Sequence, residues 1–229
     1  MKKSFLFFIL LLVNFISAQN HQVHINYNLK LDNKSNSSST ELSRAFESQK
    51  FKLFASRSQS LFFGIKKISN EITKAEKIAS IYTRSNDKFY IDSKKTILEK
   101  EVSGKIYLIE KKRNFIKWKI TKENRKIGNY ICFKATGVLS KKNYKDEKVK
   151  TDIIAWYCPE INYSIGPLGY DGLPGAILEL QIAKIKYYAT KVIFVKEDLE
   201  KIKEPSKGER MTEDEFEEFN KKKYQDRKS

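Results

Sequence analysis

The chain has 229 residues, 40% hydrophobic and 32% charged, with a formal net charge of +17 and two cysteines. That length and apolar content suffice for one well-buried core and exclude a disordered, collagen-like or disulfide-dense chain. Only seven of the 45 basic residues are arginine, so the guanidinium forks that read bases or clamp phosphates are scarce and specific nucleic-acid recognition is not expected.

The chain opens with MKKSFLFFILLLVNFISAQN. Lys2 and Lys3 precede an unbroken apolar run, Phe5 to Val13, and Ile16-Ser17-Ala18 supplies small residues before Gln19. That is the layout of a secretory signal peptide, residues 1–18, cleaved after Ala18, and it predicts a periplasmic or secreted protein. The apolar run is too short to span a bilayer, and no transmembrane segment is expected in the mature chain.

From Val23 to Leu31, apolar and polar residues alternate as in a half-buried strand, and a polar loop, 32–40, follows. Residues 50–56 and 57–65 read as a strand pair. Residues 69–84 fit a helix with Ile72, Ala75, Ala79 and Tyr82 on one stripe. Strand-like runs then recur at 88–92, 96–102, 105–110, 115–121, 129–137, 152–158, 176–183 and 186–195, separated by turn-rich gaps. The expected fold is mainly β: a single antiparallel sheet, curled like a half-barrel or folded as a sandwich, with a short C-terminal helix. That helix is marked by "TEDEFEEFNKKK" (212–223), where Thr212 and Glu215 have capping-box spacing and Phe216 and Phe219 are the available anchors. The domain plan is a β domain over 19–204 and a charged helical tail over 205–229.

Catalytic and metal signatures are absent. His21 and His24, three apart on one strand, point to opposite faces and cannot converge on a metal. No HExxH, GxSxG or CxxC occurs, and no cofactor motif is present. The acid pairs Asp87 with Asp92 and Asp171 with Glu179 have no spacing that separates them from ordinary surface acids. The two cysteines are a different matter. "NYICFKAT" and "DIIAWYC" flank a lysine-rich stretch centred near Tyr144 and Lys145. A hairpin turning there sets Cys132 opposite Cys158, Phe133 opposite Tyr157 and Ala135 opposite Ala155, a register that permits a disulfide.

The most constrained stretch is "GPLGYDGLPG", 166–175, with glycine at every third position. Three triplets cannot sustain a collagen helix, and a strand follows where a phosphate loop needs a helix N-terminus. Its remaining reading is conformational: Gly166, Pro167, Gly172, Leu173, Pro174 and Gly175 form a rigid turn, type II about Pro174 and Gly175, that feeds a buried strand.

"GLPGAILEL" resembles the signature of the GLPGLI family of exported Bacteroidetes proteins of unknown function. The likeness extends through "KWKITKENRKIGNYICFKATG" and "AWYCPEINYSIGP", so it covers about residues 115–183, with Ala176 standing where the signature has leucine. Membership implies export and assigns no catalytic residues. Three functions stay open on the sequence. The first is a non-enzymatic binding protein, with strand aromatics Phe51, Phe54, Phe62, Phe63, Tyr90, Trp118 and Trp156 cradling an apolar or lipid-like ligand. The second is a partner of an envelope protein complex, and the third an enzyme with an unrecognised site.

Overall fold

The computed structural model describes residues 22–32, 40–67, 71–113, 115–143, 147–195 and 202–226. The expected leader and His21 lie outside these residues. Five strands follow β1 (Gln22–Leu31) as a meander: β2 (Lys50–Ala55), β3 (Ser60–Gly64), β4 (Lys88–Ile91), β5 (Thr96–Val102) and β6 (Lys105–Lys111). A second meander runs through β7 (Lys119–Ile127), β8 (Tyr130–Lys142), β9 (Lys148–Cys158), β10 (Ala176–Ile182) and β11 (Ile185–Val195). The two are joined because β1 pairs with β2 on one side and β11 on the other. A short β12 (Glu209–Thr212) adds to β6 in parallel, giving one sheet ordered β12-β6-β5-β4-β3-β2-β1-β11-β10-β9-β8-β7.

The alternation seen in the sequence fixes which face is inside. Ile25, Leu53, Phe62, Phe89, Leu98 and Ile109 face one another strand by strand, and all are buried. A one-residue slip anywhere in that row would turn its strand inside out, so burial itself holds the register. Tyr90, Ile97 and Leu108 project from the opposite face and form a smaller cluster under Leu61 and Ile202.

Chain connectivity forces the sheet to curl. From β6 to β7 is ten strand positions, about 48 Å in a flat sheet at ~4.8 Å per strand. Yet eight residue steps from Lys111 to Lys119 make the crossing, and eight steps reach at most about 29 Å. The two ends of the sheet must therefore face each other across a gap. The result is an open, unclosed half-barrel rather than a sandwich, mainly β as its alternating pattern predicts, and mixed because of the parallel β12.

Helices cover what the sheet leaves bare. α1 (Glu41–Glu47), capped by Thr40, and α2 (Lys74–Thr83), capped by a Thr73–Glu76 box, pack Ala45, Phe46 and Ala79 against Leu31 and Ile185. The expected stripe on α2 holds only in part: Ala79 is buried and Ala75 packs beside it, but Ile72 and Tyr82 are exposed. α3 (Glu213–Asp226) starts at the expected capping box, Glu215 accepting from the Thr212 backbone N–H at 2.7 Å and Thr212 Oγ1 from Glu215 N–H at 3.2 Å. Phe216 and Phe219 anchor it on Tyr107, ring centroids 6.2 and 5.3 Å away.

Candidate functional site

The gap between the two ends of the sheet is a cleft of about 1070 Å³. One wall is the N-terminal turn of α3, presenting Glu213, Asp214 and Glu217; the other is β8 and β9 around Gly137, Val138, Asp152 and Ile153. The β6–β7 connection runs along the cleft with Phe115, Lys117 and Lys119, and Arg84 closes one end. The floor is Leu168 and Tyr170 from the glycine-rich loop. An apolar bottom is thus rimmed by charges of both signs, some paired across it: Lys111 Nζ lies 2.9 Å from Glu213.

The floor is rigid, for reasons readable residue by residue. Ile165 to Asp171 are all buried, unusual for a loop. Leu168 sits in the left-handed region at φ 57°, a strained conformation for a branched side chain that persists because its surroundings fix it. The carboxylate of Asp171, 1% exposed, accepts from Arg113 Nε at 3.0 Å and Nη2 at 2.9 Å on the same oxygen. Trp118 Nε1 donates to the Asp171 carbonyl at 2.7 Å, and Gly172 N–H donates to Ser164 Oγ at 2.9 Å. Tyr170 packs between Phe115 and Trp118, and burial pushes its phenol above the ordinary range, partly opposed by the Arg84 charge.

Each signature residue has a distinct place. Gly166 is extended, and a Cβ on it would press Ile177 at 2.7 Å. Pro167 and Leu173 are buried, while Gly172 (φ 86°) and Pro174 are exposed. Gly175 has φ 150°, and a Cβ there would collide with the Cys158 carbonyl. The expected type II turn is not formed. Gly175 N–H bonds to Leu173 O at 2.8 Å, a three-residue turn about Pro174, while Ala176 N–H goes to Ile161 O.

Other sequence candidates separate in space. His24 lies on β1, its ring tilted against Phe54 at 4.4 Å between centroids and 3.2 Å from Gln22, away from the cleft. Asp87 pairs with Arg84 and Lys100, whereas Asp92 accepts from the backbone N–H groups of Lys94 and Lys95 beyond the other end of β4. Asp171 pairs with Arg113, and Glu179 with Arg125 and Lys186. Neither acid pair converges on a common point as a glycosidase pair does. Among the described residues no cluster of three His, Cys, Asp or Glu could hold a metal.

The aromatics do not line a cradle. Phe51 and Phe62 stack in the filled core with Tyr187; Tyr90 belongs to the cluster on the opposite face; Phe54 packs on His24 and Phe63, and Trp156 carries the Arg125 guanidinium 4.0 Å above its ring. Trp118 alone of that group supports the cleft, through Tyr170 and Asp171. Sequence pattern does not single out the cleft-lining Phe115, Leu168 and Tyr170. The brevity of the β6–β7 connection becomes a signal for them only once the strand order is known.

The hairpin register is the expected one, with Phe133 opposite Tyr157 and Ala135 opposite Ala155. Cys132 and Cys158, one position further along, are buried and unbridged, and Cys132 Sγ lies 3.9 Å from the Tyr130 carbonyl to which it donates. Burial pushes the Cys132 thiol up to about 12.

Residues 139–179, from the outer part of β8 through β9 and the glycine-rich loop into β10, match a family described as a protein of unknown function (Porph_ging). No curated protein matches the chain. Structures of PNGF-II in C2 and P21 space groups superpose on 86% of this chain with TM-scores of 0.55 and 0.52, at 15% and 16% identity. This chain covers 32% of PNGF-II in each case. An uncharacterized conserved protein from Thermus thermophilus gives a TM-score of 0.35 at 6% identity, over 87% of this chain and 94% of the other. The chain is therefore similar to a family of unknown function across its hairpin and signature loop, and to about a third of PNGF-II in fold.

Proposed function

We propose that the chain is an exported, non-enzymatic binding protein of the GLPGLI type, and that its ligand occupies the cleft at the open seam of the sheet. The observation that carries this reading is the floor. A loop held in a strained conformation beside a half-buried ion pair presents Leu168 and Tyr170 to an accessible hollow, and strain of this kind concentrates at binding and active sites. The filled core argues against a ligand within the sheet. A purely apolar molecule also fits the cleft poorly, since it would strip water from Lys117, Lys119, Asp152 and Asp214 without replacing it. The complementary ligand is amphipathic, with an apolar body and polar ends.

Native mass spectrometry of the chain purified from cells that export it tests the reading. A retained small molecule or peptide that is lost in Phe115→Glu supports it; an adduct that Phe115→Glu retains places the ligand elsewhere and refutes the cleft. A second reading, docking to an envelope protein, draws on Leu42, Ile81 and Tyr82, exposed apolar side chains on α1 and α2. Co-purification of a protein that Tyr82→Lys abolishes and Phe115→Glu leaves intact favours that alternative.

A further inference from the structure

Residues 137–140, Gly-Val-Leu-Ser, are an uncharged stretch of β8 between Lys134 and Lys141. They lie where the sheet thins. β7 begins at Lys119, opposite Thr136, and beyond that point β8 has only β9 beside it among the described residues. Two hydrogen bonds show which way the backbone of this stretch faces. At the hairpin end Asn143 N–H donates to Glu147 O at 2.9 Å, so the odd-numbered residues of β8 bond to β9. Further back Lys134 O accepts from Thr121 Oγ1 on β7 at 3.2 Å, so the even-numbered residues face β7. The β8–β9 register runs without irregularity from Phe133 to Lys142. Val138 and Ser140, both exposed, therefore turn their N–H and C=O groups toward the side that β7 leaves open. That side is the cleft. Thr136 to Ser140 line it consecutively, as the edge of a strand does and a face of alternate residues does not.

An open strand edge attracts other strands, and proteins blunt it with charge, proline or a bulge. The outer edge strand β7 is blunted in this way. It carries Lys119, Lys122, Arg125 and Lys126, and its pairing is irregular between Ile120 and Asn124. Val138 to Ser140 have none of these devices and sit within the cleft, walled on the far side by α3.

We propose that the cleft ligand is an extended peptide that adds to β8 at Val138–Ser140, in line with β7. The proposal rests on the cleft being the ligand site. Outward N–H and C=O groups recur about every 6.8 Å along a strand edge, a spacing that another extended backbone matches and a lipid chain or a sugar does not. The peptide residue opposite Leu139 falls on the face of the buried Ile153, which suits an apolar side chain. Glu213, Asp214 and Glu217 on one wall, with Lys117 and Lys119 along the connection, suit charged residues of both signs to either side of it.

The test begins with random heptapeptides displayed on phage, selected against the biotinylated chain starting at Gln19. Binding of the enriched peptides is then measured by fluorescence anisotropy. N-methylation of the peptide backbone abolishes binding at alternate positions and is tolerated between them, because only every second N–H meets β8; this series needs no protein variant. Ser140→Pro removes an N–H that β9 does not use, so the fold is kept, and affinity falls about tenfold. Ser140→Val keeps that N–H and leaves affinity unchanged, and equal thermal unfolding confirms that both variants are folded. Absence of enriched peptides, or peptides indifferent to Ser140→Pro and to N-methylation, overturns strand addition. If those peptides, or an adduct in native mass spectrometry, are still lost in Phe115→Glu, the cleft stands as the ligand site and only the ligand class is wrong. Peptides that Phe115→Glu retains overturn both readings. A dimer that Ser140→Pro dissociates overturns the proposal in favour of a second copy of this chain.

Discussion

Gly175→Ala isolates what the signature loop requires of its last glycine. Two costs meet at this position: φ is 150°, a conformation L-residues rarely adopt, and the new methyl collides with the carbonyl of Cys158 and stands 2.8 Å from Pro159 N. Backbone strain of that kind costs about 1–3 kcal/mol, and overpacking against immobile backbone adds about 1–3 kcal/mol. Gly104→Ala is the matched control. Gly104 also has positive φ, 79°, but nothing lies within 4 Å of its missing Cβ, so only the backbone term applies, near the lower end of that range. For a chain of this size 1 kcal/mol moves Tm by roughly 2–4 °C. On that scale Gly175→Ala is expected to lower Tm by about 4–24 °C, and Gly104→Ala by about 2–4 °C. Thermal unfolding by circular dichroism reads both. Equal shifts in the two variants would refute the reasoning, because they would show that close approach to Cys158 contributes nothing.

Cys132 and Cys158 are expected to be bridged in protein recovered from an oxidising compartment. Their oxidation passes two electrons to an external disulfide and releases two protons, and the bridge adds roughly 3.5 kcal/mol in the chain-entropy model; two titratable thiols per denatured, unreduced chain would show otherwise. Because a thiol held near 12 forms little thiolate at neutral pH, bridging of the already folded, reduced protein is expected to be slow in a stopped-time alkylation assay. Tyr27 and Tyr187 are buried, with phenols raised above their ordinary value of 10.0 by desolvation. Their contribution is complete below the unfolded pKa and declines as pH rises past about 10. Tyr27→Phe, which also removes the 2.7 Å bond to Ile177 O, should destabilise by about 1–2 kcal/mol at neutral pH and flatten the alkaline decline in denaturant melts. N-terminal sequencing of exported protein should begin at Gln19, and an intact Met1 on exported material would contradict cleavage after Ala18.

Local pattern makes some of this architecture legible and leaves the rest hidden. β5 spans the residues its alternation marks, and the β8–β9 register follows from the hairpin midpoint because both strands are sequence neighbours. α1 escapes the pattern because seven residues with two buried side chains, Ala45 and Phe46, leave too little periodicity to see. β7 begins at Lys119 rather than Phe115 because Phe115 to Trp118 are used to cross the gap and hold Asp171 and Tyr170. β12 pairs in parallel with β6 across a distance no local signal spans. The cleft is invisible for the same reason: Arg84, Phe115, Val138, Leu168 and Glu213 come from five separated segments, and only the strand order brings them together.

The placement of β1 also dictates an order of assembly. Within each meander every pairing joins strands adjacent in the chain, so the ends to be brought together are close and the entropy of closing them is small. Among the described residues only the pairing of Gln22–Leu31 with Ile185–Val195 joins the strands of the two meanders, across more than 150 residues. Hairpins of either half can form on their own, but the seam closes only when both are in place, making it the last event for a sheet of such high contact order. Weakening the seam should therefore leave the folding rate nearly unchanged and accelerate unfolding. The lifetime of the folded protein, more than the speed of its formation, is set by one strand.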